Sequence, residues 1–195
     1  NVPGALAFRH PVGCSQVGED LEITCKTLIG IGNNPNYAGV VVVGLGCERF
    51  APQELAEGIA PSGKMLETVV IQDVGDTFKA IEIGSRMARK MAQAASQEKR
   101  VEAPLSALMI GTNCGGSDMT SGLVANPALG IASDMLVAQG GSSILSELTE
   151  LIGTEHILAR RAASPQVAED IKNAIAAMET RLKNQTRHSS NSKRK

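Results

Sequence analysis

Aromatic residues are scarce in this 195-residue sequence, which has no Trp, one Tyr and three Phe. Proteins that bind single-stranded nucleic acids rely on aromatic side chains on which bases stack, so that class of function is not expected. Hydrophobic residues nevertheless make up 43% of the chain. The core must therefore be built from Val, Ile, Leu, Met and Ala, and a chain of this length is long enough to bury one.

Several cysteine and apolar patterns are also missing. No two of the four cysteines, Cys14, Cys25, Cys47 and Cys114, have the CxxC spacing of zinc ribbons or thioredoxin-type motifs. No apolar run approaches the roughly 18 residues that a membrane span needs, and no segment has the pattern of a signal peptide. We therefore expect reduced thiols, a cytoplasmic location and no membrane contact.

The last twelve residues, 184–195, differ from the rest of the chain in charge. They contain four Lys or Arg and no acidic residue, whereas the whole chain has a formal net charge of −1. The remaining residues, 1–183, carry 15 basic and 20 acidic residues. This composition predicts a disordered basic tail over residues 184–195. A nucleic-acid-binding arm is the weaker interpretation, and we expect no nucleic-acid partner.

Strand-like and helix-like segments alternate along the chain. Short apolar runs rich in β-branched residues predict strands over residues 3–9, 39–45, 68–72, 105–111 and 142–145. Apolar residues at helical spacing predict helices over residues 19–31, 52–59, 76–96, 126–140 and 164–182, with a short one around His156. We predict an α/β fold over residues 1–183: a single domain whose three-layer, mostly parallel, doubly wound (Rossmann-like) sheet has helices on both faces.

Three of the predicted strands run into stretches that contain cysteine: His10–Cys14, Gly44–Glu48 and Asn113–Asp118. Open α/β sheets bind ligands at the carboxyl ends of their strands, so these stretches predict one shared cleft. His10 and Cys14 could ligate a metal or pair as base and thiolate. The alternative is a turn in which His10 caps the following helix.

The other two stretches offer acids beside glycine. Glu48, after Cys47, could act as a general base or a metal ligand; alternatively it forms a solvated ion pair with Arg49. The stretch Cys114–Asp118 follows a strand with two glycines, a serine and one carboxylate. Consecutive N–H groups in such a loop form a nest that suits a carboxylate, a phosphate or an oxyanion.

Other candidates are weaker. Asp73 and the pair Ser146–Glu147 also follow predicted strands. Cys25 lies on the apolar face of a helix, which favours a place in the core. His156 lies among charged residues, so a solvated position or a subunit contact is preferred there over catalysis.

Two long motifs resemble a known family. Residues 34–48 (NPNYAGVVVVGLGCE) and 114–134 (CGGSDMTSGLVANPALGIASD) resemble the altronate and galactarate dehydratases, a family that includes the large subunit of sulfolactate sulfo-lyase. Residues 7–14 (AFRHPVGC) and 140–147 (GGSSILSE) are similar to the same family, and the resemblance covers about residues 1–175.

The resemblance implies a lyase that removes water or sulfite from a small acidic substrate. It implies a divalent metal, with Fe²⁺ the expected ion, and a small N-terminal domain or separate subunit, in an oligomer. The chain is then expected to be a fragment of a longer lyase subunit. A sugar acid such as altronate or galactarate is the first choice of substrate, and sulfolactate the alternative.

The resemblance also suggests roles for the candidate residues, although it leaves individual roles open. Elimination beside a carboxylate needs proton transfer and donors that hold the developing charge. Proton transfer is assigned to Asp118, Glu48 and His10. Substrate binding is assigned to Asn113, Gly115, Gly116 and Ser117, and metal binding to His10, Cys14, Cys47 and Cys114.

Two other function classes stay open. The same cleft could bind an acidic metabolite without turning it over. An oxidoreductase that uses a nucleotide is the other alternative, but no GxGxxG follows the first predicted strand, where HPVGC stands instead.

Overall fold

The computed structural model describes residues 2–192, and the side chains of residues 2–184. The chain forms two compact units, which meet between Arg100 and Val101. We call the residues up to Arg100 unit 1 and those from Val101 onward unit 2, and describe each by itself.

Unit 1 is built around a pair of parallel strands. Its elements in chain order are α1 (Glu19–Asn33), β1 (Gly39–Gly44), α2 (Pro52–Ile59), β2 (Met65–Val70), α3 (Ile71–Val74) and α4 (Thr77–Ala95). Strands β1 and β2 are in parallel register, with Gly39 opposite Met65 and Gly44 opposite Val70. Helices α2 and α4 both contact the strands. The carboxyl ends of β1 and β2 therefore lie side by side.

Local sequence explains where the helices of unit 1 begin. The Asp76 carboxylate accepts the N–H of Lys79 at 2.9 Å, which satisfies one of the amides left unpaired at the start of α4. Pro52 opens α2, where a missing N–H costs nothing. The hydrophobic side chains buried in unit 1 come from the strands, α2, α4 and the loop after β1: Val42, Phe50, Ile59, Val69, Ala80 and Met91.

Unit 2 has a second parallel pair. Its elements are β3 (Met109–Thr112), α5 (Asn126–Ala138), β4 (Ser142–Leu145), α6 (Glu155–Ala159) and α7 (Pro165–Ser192). Strands β3 and β4 run parallel, with Met109 opposite Ser142. A wider helical turn over Ser121–Ala125 leads into α5. The N–H of Val167 donates to the Ser164 hydroxyl at 3.2 Å, which marks the start of α7.

Unit 2 buries little of its apolar surface. Among its described hydrophobic residues, Ile175 is the one that is buried. Ile131 and Met135 of α5 are 63% and 67% exposed. The stretch Ser121–Ala138 is long and apolar enough to cross a membrane by length and composition alone, and none of it is buried. One such helix is weak evidence for a membrane span, because a helix that packs in the core of a protein can have the same length and composition.

The structure confirms the α/β class and the parallel pairing of strands, whereas the three-layer doubly wound sheet is not confirmed. Among the described residues there are two separate two-stranded sheets. The strand predicted over residues 3–9 is wrong: this segment is exposed and pairs with no strand of the described chain. A strand exists only through hydrogen bonds to a neighbour, so an apolar run alone does not make one.

Other boundaries shift by a few residues. Strand β2 begins at Met65, three residues before the predicted start at Thr68. Residues 105–107 form a short 3₁₀ turn after Pro104, so β3 begins only at Met109. The single domain over residues 1–183 and the disorder of residues 184–195 stay predictions. Helix α7 continues to Ser192, and the side chains beyond residue 184 lie outside the described part.

Candidate functional site

In unit 1 the candidate site is the turn that follows β1. The Glu48 carboxylate folds back and accepts the N–H groups of Leu45 and Gly46, the second at 2.7 Å. Gly46 has φ of 117°, and a Cβ there would lie 2.7 Å from the side-chain oxygen of Gln72. Glycine is therefore required at this position, both for the backbone angle and for the space.

The environment of Glu48 keeps it ionised. Partial burial would raise its pKa, but the N–H groups of Glu48 itself, Leu45 and Gly46 outweigh this effect, and the charge of His10 adds to them. The pKa of Glu48 is therefore lower than its ordinary value. Hydrogen bonds to the charged form of a carboxylate have this effect. The alternative ion pair between Glu48 and Arg49 is not among the contacts of the described residues. The Glu48 carboxylate instead accepts the N–H groups of Leu45 and Gly46.

The charge of His10 acts on the Glu48 carboxylate, and His10 packs against Phe50, which lies two residues after Glu48. The His10 ring centroid is 5.5 Å from that of Phe50. Its Nδ1 atom is buried and has no hydrogen-bond partner in the described structure. However, His10 and Cys14 do not follow a strand, because residues 3–9 do not form one. The proximity of His10 to Phe50 is therefore a tertiary effect rather than the strand-end geometry that the sequence predicts.

A cavity of about 430 Å³ lies at the carboxyl ends of β1 and β2. Its charged lining consists of Glu48, Arg49, Glu54 and Asp73, and the rest is formed by Gly46, Ala51, Pro52, Gln53 and Val70. Asp73, a weaker candidate from sequence, is thus brought to the same cavity as Glu48. With three carboxylates and one guanidinium, the lining can accept hydrogen bonds from hydroxyl groups, and Arg49 is its one cationic group among the lining residues.

The predicted metal ligands do not form a cluster within the described residues. Cys14 and Cys47 are exposed, Cys114 is half-buried, and all four cysteines are free. No group of three His, Cys, Asp or Glu side chains in the described part of the chain is arranged to hold a metal ion. The set of His10, Cys14, Cys47 and Cys114 spans both units and stays a prediction.

In unit 2 the candidate site is the loop that follows β3. The N–H of Cys114 donates to Glu147 Oε2 at 2.7 Å. The Cys114 thiol donates to the carbonyl oxygen of Gly116 at 3.4 Å, and Asn126 Nδ2 donates to Cys114 Sγ at 3.9 Å. Three residues from different parts of unit 2 thus hold Cys114 in place. Asn113, Gly115 and Ser117 are exposed, so this loop is open to a ligand.

The end of β4 forms the other side of this site. The N–H and the hydroxyl of Ser146 both donate to the carbonyl oxygen of Thr112. The Thr112 hydroxyl in turn donates to the carbonyl oxygen of Ile144 at 3.0 Å. These contacts tie the ends of β3 and β4 together and place Glu147 beside Cys114. The sequence signal for Glu147 was only its position after a predicted strand.

Asp118 has a structural role that the sequence interpretation missed. Its Oδ1 accepts the N–H of Ser121 at 2.8 Å, and its Oδ2 accepts the Ser121 hydroxyl at 3.4 Å. The helix that continues into α5 begins at Met119, so Asp118 is its N-cap. The Ser121 N–H, with smaller effects from Thr120, lowers the pKa of this exposed carboxyl. An acid just before a helical segment was the signal that could have identified the cap.

Two family models match this chain one after the other. Residues 1–96 match the model described as D-galactarate dehydratase/altronate hydrolase, second domain. Residues 105–194 match the model described as D-galactarate/altronate dehydratase, C-terminal. The gap between the matches coincides with the boundary between the two units at Arg100. The second match also extends past residue 175, where the resemblance had been placed, to residue 194.

Curated relatives agree with these matches. The chain is 42% identical over 171 residues to an altronate dehydratase of Bacillus subtilis (strain 168), covering 87% of this chain and 34% of the relative. It is 42% identical over 169 residues to a (2R)-sulfolactate sulfo-lyase subunit beta of Chromohalobacter salexigens, covering 87% of this chain and 43% of the relative.

A galactarate dehydratase (L-threo-forming) of Escherichia coli (strain K12) is 37% identical over 155 residues, covering 75% of this chain and 29% of the relative. The chain thus spans less than half the length of these relatives. No solved structure matches.

Proposed function

Because this chain belongs to the D-galactarate/altronate dehydratase family, a family of lyases, we propose that it contributes the active-site region of a dehydratase acting on a sugar acid such as altronate or galactarate. The observation that carries the proposal is the turn after β1, where the Glu48 carboxylate is held ionised at a cavity with room for a small substrate and His10 helps to lower its pKa. Two of the relatives, an altronate dehydratase and a galactarate dehydratase, are named for sugar acids, which supports the choice of substrate.

Loss of water beside a carboxylate needs a base that removes a proton from carbon and an acid that protonates the leaving hydroxyl. His10 suits proton transfer because its Nδ1 has no partner among the described residues. Glu48 suits a supporting role, since a carboxylate with a lowered pKa is a poor base but stabilises a nearby imidazolium. In this proposal, therefore, neutral His10 takes the proton from carbon, Glu48 stabilises the imidazolium that forms, and the imidazolium returns the proton to the hydroxyl that leaves as water.

The loop of unit 2 is proposed to bind the substrate. Gly115, Gly116 and Ser117 are assigned to the substrate carboxylate, for which backbone N–H groups of a nest are suitable donors. Asn113 is assigned to the same ligand. Asp118 keeps its assignment to proton transfer or to a substrate hydroxyl, because one carboxylate can cap a helix and remain exposed on its other side.

A divalent metal, with Fe²⁺ as the expected ion, stays a prediction of the family resemblance. No three candidate ligands are arranged to hold an ion among the described residues, and the proton transfers proposed above are those of this chain's own side chains. His10, Cys14, Cys47 and Cys114 are the ligands to test, by metal analysis of protein purified without oxygen.

We propose that this chain is part of a larger or multi-subunit protein, because it covers 34% and 43% of the length of two curated relatives. We propose that the assembly includes a small N-terminal domain or a separate small subunit, that it is an oligomer, and that it works in the cytoplasm. The relative named subunit beta supports the arrangement with separate subunits.

A second candidate function is the release of sulfite from sulfolactate. The relative named (2R)-sulfolactate sulfo-lyase subunit beta is as identical to this chain, at 42%, as the altronate dehydratase is. Binding of an acidic metabolite without turnover is the third alternative.

The deciding experiment is an assay of the native-length protein, reconstituted with Fe²⁺ without oxygen, on altronate, galactarate and sulfolactate. A keto-acid product from altronate or galactarate supports the proposal. Release of sulfite from sulfolactate alone would replace the dehydratase with the sulfo-lyase. Binding of the three acids in calorimetry without any product would indicate a binding protein.

A further inference from the structure

Glu147 combines two unusual features. It is the one non-glycine residue with a positive φ in the described part of the chain, at φ 61° and ψ 64°. This left-handed backbone is strained for any residue with a Cβ, and strained residues persist where the surrounding structure holds them, often at functional sites. Glycine would adopt the same angles without strain, so a glutamate at this position carries a conformational cost.

The side chain of Glu147 makes a contact that explains this cost. Its Oε2 accepts the N–H of Cys114 at 2.7 Å, across 33 positions of sequence, and the contact is partly buried. A carboxylate that accepts a backbone N–H forms a short, strong hydrogen bond. With its left-handed backbone, Glu147 turns back towards the end of β3. An extended backbone at this position would instead lead the chain away from β3.

The contact bears on the loop assigned to the substrate. Cys114 is the first residue of the loop that includes Gly115, Gly116, Ser117 and Asp118, and its own thiol contacts Gly116. Fixing the amide of Cys114 therefore fixes the start of the loop whose N–H groups are proposed to bind the substrate. A group that binds a substrate must be held by neighbours that are themselves locked in place.

We propose that Glu147 is a positioning residue: its strained backbone and its hydrogen bond to the Cys114 N–H hold the Cys114–Asp118 loop in the geometry that binds the substrate. This inference rests on the proposed role of that loop. It does not depend on which acid is the substrate.

Three substitutions in the native-length protein separate positioning from a merely structural role. Glu147→Gln keeps a side-chain oxygen that can accept the Cys114 N–H. Glu147→Ala removes the acceptor and keeps the strain, whereas Glu147→Gly removes the acceptor and relieves the strain. Glu150→Ala, at an exposed glutamate three residues later, is the matched control.

Activity and stability should then separate. We expect Glu147→Gly to unfold several degrees above Glu147→Ala, yet both should lose about 10- to 100-fold in kcat/KM, as is typical when a residue that orients an active group is removed. Glu147→Gln and Glu150→Ala should stay within about threefold of the unmodified protein. If activity instead follows the unfolding midpoint, so that Glu147→Gly restores activity together with stability, the proposal is overturned. It is also overturned if Glu147→Gln loses as much activity as Glu147→Ala.

Two further measurements need no substrate. In the alanine and glycine variants, the amide of Cys114 should exchange hydrogen faster, and iodoacetamide should modify the Cys114 peptide several-fold faster. The glutamine variant and the Glu150→Ala control should show neither change. If none of the three acids is turned over, the proposed function fails while these rates still decide the role of Glu147. Unchanged exchange and alkylation in all variants overturn the positioning role.

Discussion

The carboxylate of Asp118 accepts the backbone N–H of Ser121 at 2.8 Å, so the residue proposed for proton transfer also caps the helix that leads into α5. Asparagine caps helices about as well as aspartate, whereas alanine does not. The two roles of Asp118 can therefore be separated by substitution.

We expect Asp118→Asn to keep the fold and to lower activity by about a hundredfold, because it removes a charge but not a cap. Asp118→Ala should lower activity to a similar extent and should also lower the unfolding midpoint. Thermal unfolding and steady-state kinetics of the native-length protein check both statements. Near-normal turnover in Asp118→Asn would remove the carboxylate from the chemistry and leave only the cap.

Glu48 should make the stability of the protein depend on pH. Its folded-state pKa is lower than its ordinary value of 4.5, so the ionised carboxylate stabilises the fold above that pH. The contribution disappears as the pH falls through the lower folded pKa. Glu48→Gln should therefore reduce the free energy of unfolding at neutral pH and make its decline between about pH 5 and about pH 3 less steep.

Urea unfolding at a series of pH values measures this effect. Glu57→Gln, at an exposed glutamate on α2, is the matched control and should leave the pH profile unchanged. If the two variants have the same profile as the unmodified protein, then the contacts of Glu48 with Leu45 and Gly46 do not stabilise the fold.

The cysteines should differ in their reactivity with iodoacetamide. Burial raises the pKa of the Cys25 thiol, and the charge of Glu54 raises it further, against a smaller opposite effect of Lys26. The reactive species is the thiolate, so Cys25 should be modified more slowly near neutral pH than the exposed Cys14 and Cys47. Peptide mass spectrometry over time measures the order. Modification of Cys25 before Cys14 and Cys47 would contradict the partial burial of its thiol on α1.

The apolar stretch Ser121–Ala138 should be covered in the native-length protein. A unit in which Ile175 is the one buried hydrophobic residue among those described cannot be stable alone, because burial of apolar area is the main favourable term in folding. Hydrogen exchange of this stretch should be fast in the isolated 195-residue chain and slow in the native-length protein. Helix α4, which buries Ala80 and Met91, is the internal control and should be protected in both. Equally fast exchange of Ser121–Ala138 in both proteins would contradict the prediction.

Local sequence determined many elements of this protein. Helix α2 has the predicted bounds, Pro52–Ile59, because a proline at its first turn and a short apolar face are local signals. Strand β1 and the helices that begin at Asp76 and Ser164 also agree with the predicted ranges, and both residues cap their helices. The family was also identified from sequence, since long motifs around Cys47 and Cys114 carry it.

Only the tertiary structure decided the features that depend on distant partners. The segment 3–9 has the composition of a strand but pairs with no described strand, and the charge of His10 acts on Glu48 without one. Glu147 contacts Cys114 across 33 positions of sequence. Its left-handed backbone could not be predicted either, because glutamate is not a residue type that indicates a positive φ. Periodicity and capping act within a few residues, whereas strand pairing and long-range hydrogen bonds depend on how the chain returns to itself.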